Sequence, residues 1–521
     1  MSIRPSDGGI PPRFNLARHC LARSADANPR KVALIVVGDV AAGMERAERW
    51  TYAELDRAVR RIAGGLLAAG FVPGDRLLLR LPNGSDYALL FLGAISAGLV
   101  PIPVSAQLTD GEAAFLLEDS GAAAIAQTGE GPLGYAGDKA RVVLDGPAIA
   151  RLKDSPPLAD HADTAAEAPA YMIYTSGTSS RPKGVVHAQR SVLGRIPMHR
   201  DWQGLGPGDV MLHAGAFNWS YTLGVGLLDP LAVGATAVLY DGPRDVLVWP
   251  KLIGMSGATL FAAVPSLYRQ ILKYCAPAPG DFATVRHFLA AGEALGPALL
   301  AQWRSATGKE LYEAFGMSEC STFVSNRPGM AIKPGSPGKP QTGRPISVIP
   351  LSGPAEPLPA GEVGLLAIHR SDPGLMLGYW RRPDEEASAF RGDWFAGGDL
   401  AAFDGDGYLW HQGRADDIMN AGGYRVSPLE VEAALMDCPG IAEVAVGEYR
   451  PRDDVSIIAA YVVRREGGLL DADAVLAHAR THLAGYKQPR QIFFVDALPR
   501  GSNGKLLRRG LTALAVQRPD A

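Results

Sequence analysis

Cysteine is scarce in this 521-residue sequence: its four thiols, Cys20, Cys275, Cys320 and Cys438, stand far apart and make neither a Cys-x-x-Cys pair nor a metal-ligand cluster. A disulfide-stapled scaffold is excluded, and a reducing, cytoplasmic setting is expected. Excess charge of either sign is missing too, since 51 Lys and Arg against 54 Asp and Glu leave a net charge of -3. That balance supplies no field for a nucleic acid or an anionic membrane. The opening segment MSIRPSDGGIPPRFNLARHC lacks the apolar core of a signal peptide, so export is not expected. Long apolar runs are equally rare. Only residues 87–104 approach the length of a membrane span, and Pro101 and Pro103 would break a spanning helix near its end. A buried helix running into a buried strand is expected there, with no integral membrane association. No internal repeat or long low-complexity tract is found.

What is present is the composition of a globular protein, 47% hydrophobic and 20% charged. Single cores stop growing at roughly 250–300 residues, so two or more domains are expected. Helical periodicity over residues 52–69 and strand patterns over 76–81 and 235–240 belong to an α/β fold. A stretch rich in Pro and Gly, residues 335–359, suggests a change of substructure, and a sharper boundary falls near 413–417. Beyond it the pattern predicts a helix over 428–436, strands over 443–447 and 457–463, a helix over 472–484 and a strand over 491–495. That is a small α+β domain.

The strongest chemical signal is Tyr174-Thr175-Ser176-Gly177-Thr178-Ser179-Ser180-Arg181-Pro182-Lys183-Gly184, preceded by an apolar run. A strand feeding such a loop can wrap backbone N–H groups and hydroxyl donors around phosphate oxygens, with Lys183 adding charge. It is not a P-loop, which needs Gly-Lys followed by Ser or Thr; here Lys183 lies between Pro182 and Gly184.

This loop resembles that of the adenylate-forming superfamily of acyl-CoA synthetases, adenylation domains and luciferases, departing at Ser180, where Gly is common. The resemblance continues in order along the chain. It implies ATP phosphate contacts from Thr175, Ser176, Gly177, Thr178, Ser179, Lys183 and Ser318. Ala290-Ala291-Gly292-Glu293-Ala294-Leu295 is similar to the segment lining the adenine pocket, implying roles for Gly292, Glu293 and Ala294. Phe315-Gly316-Met317-Ser318-Glu319 is similar to the turn that ends in a magnesium carboxylate, with Ser318 in place of Thr. Glu319 is the hard oxygen ligand that Mg²⁺ prefers. Asp399 and Arg414 occupy the ribose positions, and Asp416 that of the hinge. The segment with Gly422, Gly423 and Tyr424 resembles the lining of the pantetheine tunnel, with Met419 where Lys is frequent; Tyr486 and Lys487 are also expected near CoA. Lys505 stands at the position of the catalytic lysine. The implied architecture is a large multi-layer N-terminal domain, 1–414, of mixed sheets flanked by helices, and a small mobile α+β lid, 415–521.

The implied chemistry activates a small carboxylic acid with ATP and passes the acyl group to coenzyme A. The segment with Trp219 and Tyr221, together with Ala263, Ala291 and Gly292, falls at acyl-pocket positions. It is similar to that of benzoate-type CoA ligases, so an aryl, alicyclic or short branched acid is expected. Trp219 and Tyr221 serve equally well as core residues. Two alternatives stay open: an aryl-adenylating enzyme that loads a carrier protein, and an ATP-binding sensor without catalysis.

Overall fold

The computed structural model describes residues 9–128, 142–175, 182–243, 245–415, 417, 419–421, 424–452, 455–465, 470–501 and 506–516. The chain packs as two compact units, Met1–Ile346 with Ile368–Phe390, and Ser347–Ala367 with Arg391–Ala521.

The first unit is built on a nine-stranded mixed sheet. Six central strands, Val32–Val37, Thr236–Tyr240, Val210–His213, Leu260–Ala263, His287–Ala291 and Leu311–Met317, run parallel. Antiparallel strands flank them, Glu48–Thr51 on one side and Ser321–Ser325 on the other. The central strands are short and almost wholly apolar because both faces are covered. Leu212, Phe261 and Phe288 meet Tyr268 and Trp303 on one face. Met211, Leu289 and Ala291 meet Met198 and Trp202 on the other. Two smaller sheets complete the unit. One is four-stranded and parallel; the other joins Pro169–Thr175, Lys183–Ala188 and Gly378–Tyr379 in antiparallel order.

Local chemistry explains the boundaries. The helix Tyr52–Ala68 starts where Thr51 accepts from the Glu54 N–H and the Glu54 carboxylate accepts from that of Thr51, a capping box read directly from Thr-x-x-Glu. Residues 87–104 form the expected buried helix, Ser85–Ser96, leading into the strand Val100–Pro103. Among the described residues no helix is long and apolar enough to cross a membrane.

In the second unit, Ile441–Arg452 pairs antiparallel with Val455–Arg464, which pairs parallel with Gln491–Phe494. Helices Pro428–Met436 and Ala472–His482 bury Val431, Leu435, Val475 and Ala479 against Val446, Ile458 and Ala460. The hairpin Trp394–Phe403 with Leu409–Arg414 also packs in this unit, where Ser427 Oγ donates to the Gln412 carbonyl at 2.6 Å. The fold class is thus the expected one, a large mixed-sheet unit and a smaller α+β unit, the second including residues 347–367 and 391–414 as well as the C-terminal segment.

Candidate active site

The acidic turn lies between Leu311–Met317 and Ser321–Ser325. The Cys320 N–H closes it on the Met317 carbonyl at 3.2 Å. Gly316 is required there, since a Cβ would fall 2.4 Å from the Ser321 carbonyl oxygen. Glu319 is held at both ends. Its carbonyl accepts from the Met376 N–H at 2.8 Å, and its Oε1 accepts from the Tyr379 hydroxyl at 2.8 Å. Ser318 Oγ lies 3.4 Å from Ser220 Oγ. Beneath the turn, Arg195 donates to Ser321 Oγ and pairs with Asp229 through two bonds of 2.6 and 2.8 Å. Burial opposes the charge of Asp229, yet Arg195 and His199 hold its carboxyl well below the usual carboxylate range.

The hairpin of Pro169–Thr175 and Lys183–Ala188 sets Thr175 opposite Lys183. The phosphate-loop residues Ser176, Gly177, Thr178 and Ser179 lie outside the described residues. Lys183 pairs with Glu385 and sits 5.3 Å over the Tyr379 ring. Tyr379 therefore touches both the loop lysine and the acidic turn. It reaches them because Gly378–Tyr379 adds a strand to the hairpin, with Tyr379 opposite Val185.

Gly292, at φ +92°, turns the chain out of the strand His287–Ala291. The Glu293 carboxylate faces the start of helix Pro265–Tyr274, accepting from Ser266 Oγ at 2.8 Å and from Arg269 at 3.0 Å. Ala294 is exposed. The following N–H, of Leu295, donates to Glu313 Oε1 at 3.0 Å, and burial pushes the Glu313 carboxyl up to about 8.

Of the residues expected at the acyl pocket, Tyr221 packs edge-on to His213 with ring centres 4.4 Å apart. Its hydroxyl reaches the carbonyls of Ala263 and Leu289 at 3.3 and 3.4 Å. Ala291 packs in the same cluster, whereas the Ala263 side chain joins Leu212 and Phe261 on the opposite face of the sheet. Ala263 thus meets Tyr221 through its carbonyl alone. Trp219, half-buried, precedes the short helix Ser220–Leu223.

In the second unit Asp399 and Arg414 are cross-strand partners, with Arg414 Nη1 3.8 Å from Asp399 Oδ2. His411 Nε2 holds the other oxygen at 2.9 Å. Lys487 pairs with Glu430, whose hydrogen bond raises the lysine pKa, and lies 5.5 Å over the Tyr486 ring. Tyr424 is described in its backbone, opposite Ala421. Asp416, Gly422, Gly423 and Lys505 lie outside the described residues.

Among the described residues no group of three or more His, Cys, Asp or Glu side chains could hold a metal alone. A lone carboxylate suits Mg²⁺ that arrives with a nucleotide, because the ion keeps phosphate and water oxygens as its other ligands.

The family model described as AMP-binding enzyme matches residues 21–380, and that described as AMP-binding enzyme C-terminal domain matches 430–505. A 3-hydroxybenzoate–CoA ligase of Aromatoleum sp. (strain CIB) is 32% identical over 89% of this chain and 91% of its own length. A benzoate–CoA ligase of Thauera aromatica is 33% identical over 96% of each. The crystal structure of a benzoate CoA ligase from Burkholderia xenovorans LB400 superposes with a TM-score of 0.84 at 29% identity, covering 96% of this chain and 100% of that one.

Proposed function

The chain belongs to the AMP-binding enzyme family, and from that premise we propose that it is an ATP-dependent acid–thiol ligase converting a carboxylic acid to its CoA thioester. The acid is aryl, alicyclic or short branched, with benzoate-like acids foremost because the relatives at 32% and 33% identity act on benzoates. The linkage of Lys183 to Glu319 through Tyr379 supports the reading, since it brings together the cation expected at the phosphates and the carboxylate expected at magnesium.

A carboxylate resists substitution because its charge repels nucleophiles and oxide is a poor leaving group. In the first step its oxygen attacks the α-phosphorus of ATP; that O–P bond forms as the bond to the bridging oxygen breaks and pyrophosphate leaves. In the second step the CoA thiolate attacks the acyl carbonyl, and the thioester forms as AMP departs. Dividing one hard substitution into two easier ones is the logic of an activated intermediate. The protein supplies position and charge. Lys183 and the loop before it take the phosphates. Glu319 would hold Mg²⁺, which neutralises phosphate charge when bound. Asp399 and Arg414 take the ribose hydroxyls, and the turn at Gly292 borders the adenine. Lys505 donates charge to the first step, carried by a mobile lid, 415–521, hinged at Asp416. Gly422, Gly423, Tyr424, Tyr486 and Lys487 face CoA in the second. The unpaired state of all four cysteines supports a cytoplasmic setting.

Pyrophosphate release measured with a panel of acids, with and without CoA, tests the whole reading. Acid-dependent release with CoA-dependent thioester formation is expected. Release without thioester would point to a carrier-protein acceptor, and no release with any acid would reject an enzyme.

A further inference from the structure

The buried ion pair beneath the acidic turn has no part in the steps above. Arg195 is 4% exposed and Asp229 is wholly buried. Such pairs are weak evidence for stability, because desolvation offsets much of their attraction. This one is held in a fixed orientation, since His199 Nε2 and Gln203 Nε2 also reach Asp229, at 3.1 and 2.7 Å. The guanidinium has donors to spare. One goes to the Oγ of Ser321, which opens the strand after the turn of Ser318 and Glu319. Ser321 sits at φ +64°, a left-handed conformation that a side chain disfavours, so something must keep it there. On its other side Arg195 lies against the chain at Gly224. The Gly224 backbone passes so close that a Cβ would lie 2.1 Å from Arg195 Nη2. Gly224 directly follows Ser220–Leu223, the helix of Tyr221, and Ser220 Oγ in turn meets Ser318 Oγ at 3.4 Å.

We propose that Arg195 is a positioning residue for adenylation: anchored on Asp229, it sets the acidic turn through Ser321 and the acyl-side helix through Gly224 in one register. The acid's carboxylate is thereby aligned with the nucleotide that Glu319 engages. The proposal rests on the reading of Glu319 as the magnesium carboxylate.

Ser321→Ala removes the hydroxyl and leaves the Arg195–Asp229 pair intact. Its half-saturating magnesium concentration should rise, and its adenylation kcat should fall roughly 10–100-fold, the scale for misplacing a reacting group by about 1 Å. Thermal stability and thioester formation from presynthesised acyl adenylate should stay near wild type. Arg195→Met should lose at least as much, and adding Ser321→Ala to it should cost nothing further. Wild-type adenylation and magnesium dependence in Ser321→Ala, losses that multiply in the double variant, or equal loss in both half-reactions would overturn the proposal. Glu319→Gln separates the two readings. A normal magnesium requirement in that variant overturns the Glu319 assignment itself, whereas a raised requirement beside a silent Ser321→Ala overturns the role of Arg195 alone.

Discussion

Tyr379 donates its phenolic hydrogen to Glu319 Oε1 at 2.8 Å, while its ring lies 5.3 Å beneath the Lys183 ammonium. One side chain thus orients a carboxylate by its hydroxyl and a cation by its ring face, two separable effects. Tyr379→Phe keeps the ring and removes the hydrogen bond, which to a charged group contributes about 1.5–3 kcal/mol. Adenylation should fall by roughly 10-fold, with a raised magnesium requirement. Tyr379→Ala should lose more. Equal rates for the Phe variant and the wild type across a magnesium titration would show that the bond is incidental.

Much of this arrangement was legible in the sequence where the signal is local. The helix over 52–69, the buried helix before Pro101 and the helix Pro428–Met436 follow from spacing within a few residues. The acidic turn was legible as a motif because Gly316, Ser318 and Glu319 lie within one tight turn. Partners that fold together from far apart were not. Tyr379 is 60 residues from Glu319, and Arg195 is 126 from Ser321. No periodicity links such pairs. Glu293 was legible as a motif position, but nothing in the motif foretold that its carboxylate accepts from Ser266 and Arg269. Position along the chain does not give side-chain direction.

Glu313 gives a pH test. Burial raises its folded-state value to about 8, above the 4.5 of a free carboxyl. Between those values the folded chain keeps a proton that the unfolded chain has lost, so stability falls as pH rises through that window. Glu313→Gln keeps an acceptor for the Leu295 N–H and cannot ionise. Its melting temperature relative to wild type should climb from pH 5 to pH 8 and then level off. A flat difference over that range would mean that Glu313 is ionised in the fold.

Trp219 stands half-buried ahead of the helix that carries Tyr221. If it bounds the acyl cavity, Trp219→Ala should shift kcat/KM toward longer or bulkier acids. One added methylene in an apolar pocket is worth about 1–3 kcal/mol, so selectivity changes of at least 10-fold are expected. An unchanged specificity profile with lowered stability would make Trp219 a core residue.

The two-pose mechanism makes the sharpest demand on the second unit. If Lys505 acts only while the lid faces ATP, Lys505→Ala should lose roughly 10²–10³-fold in adenylate formation, the scale for one preorganised donor. The second half-reaction should survive, because the proposed thioester pose makes no use of the lysine. Given presynthesised acyl adenylate and CoA, the variant should form thioester at close to the wild-type rate. Asp416→Pro should show the reverse imbalance, since a fixed φ at the hinge hinders rotation into the thioester pose while leaving the first pose accessible. Both rates can be measured on the same preparations, by pyrophosphate release and by thioester formation. Parallel losses in both half-reactions for both variants would reject a swinging lid in favour of one rigid site.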